Sequence, residues 1–535
     1  MVRTAPLGGS ALSRAIQRGE VGNQVGAMWY APRPRDVNAW RAHALATRAS
    51  FAGRDWLAPL APAFGASGAA AERLARAARE GVVITTGQQP GLFGGPTYTW
   101  SKAMSALAAA DTLEAELGIP VAPVFWAATD DADWMEAAVT YLATPTGLER
   151  VALAGPATDG VSMNDVPLGD LQSALAQLVR ACGSGAHASV LETVRQAYTP
   201  HATIGAAYVF LMRALLEPLG MAVLDAAHPA TRAAADAFLR AALHAAPRVQ
   251  DALRHRAEAI VASGYTPQVE IVDGLSLVFR TGGSEGNANG NSGARARVPV
   301  AEASAVANEA EVGALGANVL LRPVLERALL PTVCYLAGPG EFAYFAQVAP
   351  VAEALGAAVP VVAPRWAAEV LEADACDLQA RLGITDEQLH DPHAAEQAIA
   401  RAQLDESVAD ALERLRITLE TQLRTLGDAL RVPDDEEQEA ALVAPSVVDG
   451  LARDITHRLD RFERRVLAGV KRREIGAMQD VAAVRAALRP LGQSPERVLN
   501  LVPLLVRYGP GLLDRMREEA MGHARLLVTG HAEQA

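Results

Sequence analysis

The sequence contains few cysteines. Its 535 residues include three, Cys182, Cys334 and Cys376, and no two of them form a CxxC pair. This scatter argues against a disulfide framework and against a thiolate metal site, and a reducing cytoplasm is the simplest location for such a chain. Cys334 lies in an apolar run, residues 332–337, so we expect it to be a small buried hydrophobe rather than a nucleophile.

Long apolar runs and a surplus of basic residues are also missing. No stretch of about 18 uninterrupted apolar residues occurs. Residues 1–20 lack a basic segment followed by an apolar core, so neither membrane insertion nor export is expected. The 61 acidic residues outnumber the 48 Lys and Arg residues, which gives a formal net charge of -13. Phosphate binding needs a clustered basic surface, so we expect small-molecule ligands rather than a nucleic acid.

Short β-like runs alternate with long alanine-rich amphipathic segments. This alternation is typical of a parallel sheet covered by helices, and we predict a doubly wound α/β fold. The predicted strands are residues 81–86, 121–128, 221–225, 332–337 and 359–363. Glycine and polar residues follow these strands, and ligands of open parallel sheets bind beyond the carboxyl ends of the strands. The sequence therefore predicts one site at one edge of the sheet.

The length of the chain predicts two or three structural units. The core is assigned to residues 1–365, with peripheral insertions at about 147–189 and 247–319, and residues 477–535 are assigned to a helical cap packed on the core. Within the second insertion, residues 282–293 are small or polar apart from Glu285. Such a stretch cannot bury enough apolar area to order itself, so we expect a mobile loop there.

The spacing of apolar residues changes after Trp366. Two series with steps of three and four residues, within 408–430 and 448–470, each predict one apolar stripe on a helix. The break between them contains two prolines and an acidic run, namely Pro433, Pro445 and residues 434–437. We therefore predict an antiparallel coiled-coil hairpin of α-helices within residues 366–476. It acts either as an intramolecular arm or as a dimerisation surface, because two helices alone leave much apolar surface uncovered.

A glycine-rich turn follows the first predicted strand and precedes a predicted helix, residues 98–117. Glycines let a ligand approach the backbone, and a helix start offers unpaired amide donors to an anion. A structural turn is the alternative interpretation, but several side chains here add hydrogen-bonding groups that a turn does not need. The candidate binding residues are Thr86, Gly87, Gln88, Gln89, Gly91, Tyr98 and Ser101, and Lys102 is a candidate catalytic residue.

Acidic residues crowd the end of the second predicted strand. Neighbouring carboxylates raise one another's pKa and suit binding an amine, accepting a proton or holding a divalent metal. Helix capping is the alternative for Asp130 or Asp131 taken alone. Three acids within four positions at the sheet edge favour a catalytic role for Asp130, Asp131 and Asp133.

Arginines and glycines lie around the fourth and fifth predicted strands. Arginine offers a planar fork that suits a carboxylate or phosphate, whereas a surface ion pair is the alternative for each arginine. The candidate substrate or nucleotide ligands here are Arg322, Gly338, Gly340, Glu341, Tyr344 and Arg365. No histidine pair has metal-ligand spacing and no Ser, His and Asp stand in a hydrolase order. Neither a zinc nor a serine hydrolase is supported, and no metal ligands are assigned.

Five segments resemble a known family. In chain order they are TTGQQPGLFGGPTYTWSKAMSA, PVAPVFWAATDDAD, LRPVLERALLPTVCYLAGPGEFAYFAQ, VPVVAPR and PERVLNLVPLLVRYGP. They are similar to the bacillithiol biosynthesis cysteine-adding enzyme (BshC) family along nearly the whole chain. The resemblance implies a Rossmann-like core akin to nucleotidylyltransferases, a C-terminal coiled coil, a homodimer, and a ligase that joins cysteine to glucosaminyl-malate. The family usually has histidine where this chain has Ser101 and Ala132.

We therefore hypothesise amide formation between a cysteine carboxyl and an amino-sugar amine, with ATP or ADP as the activating nucleotide. Lys102, Arg322 and Arg365 would hold anionic groups, and one of the three aspartates would bind or deprotonate the amine. The side chains that would orient the substrates are Gln88, Gln89 and Tyr98. Two alternatives stay open: a nucleotide-dependent transferase or ligase with a different acceptor, and a non-catalytic relative that acts through its coiled coil. The sequence also leaves open whether a metal joins the carboxylates.

Overall fold

The computed structural model describes residues 1–21, 29–155, 160–281, 295–391, 393–430 and 444–530. The predicted loop at 282–293 and the break around Pro433 lie outside these residues. The strands are β1 (Val2–Thr4), β2 (Val82–Gln88), β3 (Val121–Ala127), β4 (Val139–Thr144), β5 (Gly147–Ala152), β6 (Ala222–Asp225), β7 (Leu275–Thr281), β8 (Arg295–Pro299), β9 (Leu315–Ala317), β10 (Thr332–Ala337), β11 (Val362–Pro364) and β12 (Ala368–Val370).

The helices are α1 (Ala11–Gln17), α2 (Val37–Ala49), α3 (Ala61–Phe64), α4 (Gly68–Glu80), α5 (Thr97–Leu117), α6 (Trp134–Ala137), α7 (Gln172–Cys182), α8 (Ala188–Ala197), α9 (Ile204–Leu216), α10 (Pro229–His244), α11 (Ala246–Ala262), α12 (Ala303–Glu309), α13 (Arg322–Leu329), α14 (Pro339–Leu355), α15 (Ala373–Leu382), α16 (Asp386–His390), α17 (Ala394–Ala402), α18 (Glu406–Ala429), α19 (Pro445–Arg473), α20 (Ile475–Leu488), α21 (Pro495–Val498), α22 (Val502–Tyr508) and α23 (Gly511–Thr529). Within the described ranges, none of them combines the length and the apolar character that crossing a membrane requires.

Five parallel strands form the central sheet, in the order β11-β10-β2-β3-β6. All five predicted strands are present in it. In the chain they follow one another as β2, β3, β6, β10 and β11, so the direction of winding reverses between β2 and β10. Such a reversal opens a crevice at the carboxyl ends of the two strands.

Alternating side chains of β2 enter two hydrophobic cores on opposite faces of the sheet. Val82 and Ile84 pack in one core together with α5, whereas Val83 packs in the other core together with α14. Successive strand residues point to opposite faces, so a continuous apolar run accepts a helical layer on each side. The doubly wound α/β prediction is therefore confirmed. Cys334 of β10 is fully buried in the first core, as expected.

Strand β2 extends two residues beyond its predicted end. Gly87 and Gln88 pair with Trp126 and Ala127 of β3, whereas the sequence had placed them in a turn. A Cβ on Gly87 would lie 2.6 Å from the Trp126 carbonyl oxygen, so the absence of a side chain permits this close pairing. The strand thereby carries Gln88 to the carboxyl edge of the sheet.

The second insertion contains an antiparallel three-stranded sheet, which we call the insertion sheet (β7, β8 and β9), in the order β8-β7-β9. Val278 of β7, Val298 of β8 and Leu315 of β9 are buried in the same core as α14. The insertion sheet therefore packs on the α14 side of the central sheet.

The chain divides into two compact units. The first comprises residues 1–142, 149–370 and the chain from Pro495 onward, and it contains the central sheet. The second comprises residues 143–148 and 371–494. In the first unit α23 packs along α5, so the last helices of the described chain share a unit with the sheet.

Helices α18 and α19 form an antiparallel pair in the second unit. Arg416 of α18 contacts Asp460 of α19 at 2.9 Å. Further along α18, Gly427 lies against Val448, which is nearer the start of α19. The partner position moves backward along α19 as α18 proceeds, so the two helices run in opposite directions. The predicted coiled-coil hairpin is confirmed.

Candidate functional site

A cavity of about 710 Å³ opens at the carboxyl edge of the central sheet, where β2 borders β10. Its volume suits a small-molecule ligand. The predicted site residues that line it are Gly87, Gln88, Gln89, Tyr98, Lys102, Asp130, Asp131, Arg322, Gly338, Gly340, Glu341, Tyr344 and Arg365. They come from chain segments that are far apart in sequence, so the carboxyl edge gathers them as the strand pattern predicted.

Two predicted binding residues near β2 lie outside this cavity. Thr86 is buried and donates its hydroxyl hydrogen to the Leu336 carbonyl oxygen at 2.8 Å, which ties β2 to β10. Gly91 lies in a tight turn, because a Cβ there would be 2.6 Å from the Cα of Gly95. Both residues shape the backbone behind the site and do not line it.

Ser101 and Asp133 also lie outside the cavity. Ser101 is buried inside α5 and donates to the Thr97 carbonyl oxygen at 3.3 Å. Asp133 is exposed and caps α6, where its Oδ1 accepts the Glu136 amide at 3.0 Å. Capping, which the sequence left open for the two preceding aspartates, is thus the structural role of Asp133.

Four charged side chains lie around the start of α14, and we call them the cavity floor (Lys102, Arg322, Glu341 and Arg365). Lys102 Nζ lies 2.8 Å from both the Gly87 carbonyl oxygen and Gln88 Oε1. The same nitrogen lies 2.5 Å from Glu341 Oε2. An ammonium group has three protons, so these three acceptors occupy all of them.

Glu341 is the acceptor at the centre of the cavity floor. Its Oε1 accepts the Tyr335 hydroxyl at 2.6 Å, and its Oε2 accepts the Gly338 amide at 2.7 Å. Burial alone would raise the pKa of Glu341, but Lys102 and Arg322 hold it below its ordinary value. Burial lowers the pKa of Lys102, against the attraction of Glu341. This carboxylate is therefore committed to protein partners.

Both arginines of the cavity floor already bind protein groups. Arg322 donates to Glu326 at 3.0 Å and to the Tyr344 hydroxyl at 3.2 Å. Arg365 donates two hydrogen bonds to the Glu496 carboxylate, at 3.0 and 2.7 Å. Its Nε is buried and has no hydrogen-bond partner in the described part of the chain. An anionic ligand would therefore compete with protein carboxylates for most of these donors.

The acids after β3, with one arginine of the insertion sheet, form what we call the cavity rim (Asp130, Asp131 and Arg295). Asp131 accepts hydrogen bonds from the Gln89 side chain and, at 2.6 Å, from the Ala132 amide. No other described residue donates to the Asp130 carboxylate, although Arg295 binds the Asp130 carbonyl oxygen. Burial raises the pKa of Asp130, while Arg295 opposes that rise. An uncommitted carboxylate with a raised pKa is suited to accept a proton.

Metal binding was the third option for these acids. Across the described ranges, no group of three or more His, Cys, Asp or Glu side chains is arranged to hold a metal ion.

Sequence reasoning missed the part of the cavity wall that comes from the insertion sheet. Phe279 of β7, Arg295 and Arg297 of β8, and Asn318 after β9 line the cavity. The spacing of two between Arg295 and Arg297 in a β-like run would have placed both side chains on one face. Nothing in the sequence indicated that this face turns toward the central sheet.

The two positions that depart from the resembled family differ in location. Ala132 lines the cavity beside Asp131. Ser101 is fully buried within α5 and does not line it. Ala132 presents a methyl group to the cavity, where a histidine would present a possible proton acceptor, whereas Ser101 presents no atom to the cavity.

Comparison with known proteins gives two matches to family models. One, described as "Bacillithiol biosynthesis BshC, N-terminal Rossmann-like domain", covers residues 54–366, and the other, "Bacillithiol biosynthesis BshC, C-terminal coiled-coil domain", covers residues 401–525. A protein of Solibacter usitatus named "Putative cysteine ligase BshC" is 29% identical over 477 residues, 85% of this chain and 86% of its own. Proteins of the same name from Koribacter versatilis and Heliobacterium modesticaldum are each 30% identical. The first alignment covers 85% of both chains, and the second covers 86% of this chain and 85% of the relative.

Proposed function

This chain belongs to the BshC family, and from that premise we propose that it joins the carboxyl group of cysteine to the amine of glucosaminyl-malate. Cysteine is proposed as the substrate because its relatives are named "Putative cysteine ligase BshC". The observation that carries the proposal is the Asp130 carboxylate, which lines the cavity without a hydrogen bond from another described residue. Such a group can accept the proton that an amine loses when it forms an amide.

The proposed reaction forms a C–N bond, breaks a C–O bond and transfers one proton from the amine to a base. The amine nitrogen bonds to the cysteine carboxyl carbon, and one carboxyl oxygen leaves with the group that activated it. Asp130 takes the proton that the nitrogen releases. Asp131 is less suited to this step, because both of its oxygens already accept hydrogen bonds. It would instead hold Gln89 in place beside the substrates.

The activating nucleotide is proposed to be ATP or ADP, which when bound would supply the phosphate leaving group. The cavity wall at Gly340 has room for a ligand, because a Cβ there would meet nothing within 4 Å and the ligand can approach the backbone. Arg365 lines the same cavity, and its buried Nε has no hydrogen-bond partner among the described residues. Gly338, Gly340 and Tyr344 would contact the nucleotide.

The direct test is product formation by purified protein. Incubation with cysteine, glucosaminyl-malate and ATP, followed by mass spectrometry, should yield the amide, and Asp130→Asn should abolish most of it. A folded wild-type protein that gives no amide with either nucleotide would refute the proposal. Profiles of low-molecular-weight thiols in cells with and without the protein provide the matching test in vivo.

A second candidate is a nucleotide-dependent transferase or ligase with a different acceptor. It is favoured by Ala132, which changes the cavity wall where the family usually has histidine. A thermal shift with ATP or ADP but none with glucosaminyl-malate would support this candidate. A protein that binds neither nucleotide nor thiol metabolite would instead act through its coiled coil without catalysis.

We also propose a homodimer formed through α18 and α19, in a reducing cytoplasm. Leu415 and Leu426 of α18 and Phe462 of α19 are exposed apolar side chains on these helices, and the three cysteines are free. Light scattering should give twice the chain mass, and Leu415→Asp with Phe462→Asp should give the monomer. A monomeric wild-type protein would reject the dimer.

A further inference from the structure

Arg295 connects two parts of the chain that are distant in sequence. It is the first residue of β8, and its Nη1 donates to the carbonyl oxygen of Asp130, in the segment after β3. Its own amide donates to the Gly160 carbonyl oxygen at 3.1 Å. The insertion sheet and the segment after β3 are thus joined through one residue.

The guanidinium group of Arg295 is fixed by an aromatic ring. Its Cζ lies 4.4 Å from the centroid of the Phe279 ring, on the neighbouring strand β7. A cation above an aromatic face is attracted by the ring. The contact therefore helps to hold the guanidinium group of Arg295 in place.

The atom that Arg295 binds matters for the chemistry. Because the arginine donates to the backbone carbonyl oxygen of Asp130, the carboxylate of the same residue receives no hydrogen bond from another described residue. A direct arginine–carboxylate pair would instead occupy them, as Glu496 shows with Arg365. The segment is thus held in place while its side chain stays available to a ligand.

Several charges surround the Asp130 carboxylate. A narrow recess behind it is lined by Arg295 of β8, Arg232 of α10 and Arg322 of α13. Asp131 adjoins it in the chain and repels it. Burial raises the pKa of Asp130, and Arg295 is the largest opposing influence, ahead of Arg232.

We propose that Arg295 is a positioning residue, which holds the segment after β3 against the insertion sheet and aims the Asp130 carboxylate at the substrate amine. Only the second role, aiming the Asp130 carboxylate, rests on the proposed function. The first role, holding the segment after β3, can be measured whether or not the amide is formed.

The experiment compares Arg295→Gln, Arg295→Lys and a control, Arg254→Gln, with the wild-type protein. Arg254 is half exposed on α11, outside the cavity, and pairs with Asp251 and Asp273. Hydrogen–deuterium exchange of residues 128–133 should be faster in Arg295→Gln and unchanged in the control. Unchanged exchange in Arg295→Gln would overturn the holding role, even for a protein that forms no amide.

Kinetics test the catalytic part. In Arg295→Gln we expect kcat to fall by about 10²-fold through misplacement of the carboxylate, with little change in KM. The acidic limb of the kcat/KM profile should move to higher pH, because a cation that lowers the pKa of Asp130 is gone. Arg295→Lys should restore the position of that limb, since it keeps the charge, but only part of kcat. An active wild type whose Arg295→Gln variant keeps its acidic limb would overturn this part while leaving the proposed function intact.

Discussion

The cavity floor and the cavity rim carry similar numbers of charges but differ in how far those charges are paired. On the floor, all three protons of Lys102 have acceptors, and Glu341 accepts from three groups. On the rim, the Asp130 carboxylate receives no hydrogen bond from another described residue. Charges that are hydrogen-bonded to protein groups resist displacement by a ligand, whereas a carboxylate without a donor from another residue can bind a ligand directly. The floor should therefore govern stability, and the rim should govern rate.

The largest effect is expected from a substitution in the cavity rim. Asp130→Asn removes the proposed proton acceptor while keeping its size, so turnover should fall by about 10² to 10⁴-fold with the fold intact. Amide formation measures the turnover, and circular dichroism measures whether the fold is intact. Asp133→Ser is the matched control, because Asp133 is exposed and caps α6, and serine can also cap. Turnover that falls equally in both variants would show that the acidic cluster acts without distinction between its members.

The next largest effect is expected from a substitution in the cavity floor. Lys102→Met leaves the Glu341 carboxylate buried without its nearest cation, and losing one partner of a buried pair costs about 3–5 kcal/mol. Chemical denaturation should show this loss in the free energy of unfolding. The double variant Lys102→Met with Glu341→Gln should lose less than the two single losses added together. Additive losses would mean that the two side chains are not coupled.

A smaller effect separates two glycines of the cavity wall. Gly87→Ala places a Cβ 2.6 Å from the Trp126 carbonyl oxygen, so we expect a destabilisation of about 1–3 kcal/mol from overpacking. Gly340→Ala meets nothing within 4 Å and should leave the free energy of unfolding within about 0.5 kcal/mol of wild type. Thermal unfolding of both variants measures the difference. Equal stabilities would contradict the close pairing of β2 with β3.

The smallest effect concerns pH and a carboxylate behind the floor. Burial raises the pKa of Glu326 to about 7, although Arg322 opposes the rise. The folded state thus holds this proton more tightly than the unfolded chain does. The resulting stabilisation is fully present below the ordinary pKa of a glutamate, about 4.3, and it is lost as pH rises through about 7.

Glu326→Gln removes this titration. Its free energy of unfolding should fall less between pH 5 and 8 than that of the wild-type protein, measured by urea denaturation at each pH. Glu369→Gln is the matched control, because Glu369 lies on β12, away from the cavity. Parallel curves for Glu326→Gln and wild type would show that Glu326 is already ionised at pH 5.

Much of the fold followed from local pattern. The apolar runs and the glycines after them located the strands of the central sheet, because burial on both faces requires continuous apolar residues. The end of β2 was misplaced, since Gly87 suggests a turn locally. Its place in the strand depends on the neighbouring backbone of Trp126, which is 39 positions away in the chain.

The candidate site was predictable as a location but not in its roles. Parallel strands bring their carboxyl ends to one edge, so Gln88, Asp131 and Gly338 had to be near one another. Which acid lacks a hydrogen-bond donor depends on the neighbouring groups. The Gln89 side chain donates to Asp131, and Asp133 caps its own helix. A residue type and its spacing do not contain that information.

By itself, the sequence determined the layered α/β core, the helical hairpin and the edge of the sheet that gathers the polar residues. These follow from the periodicity of apolar side chains, which is a local property of the chain. The tertiary structure alone decided that Lys102 and Arg365 pair with protein carboxylates, that no other described residue donates to the Asp130 carboxylate, and that Arg295 binds the Asp130 backbone. These depend on contacts between segments more than a hundred residues apart, because hydrogen bonds and desolvation act through distance in space and not along the chain.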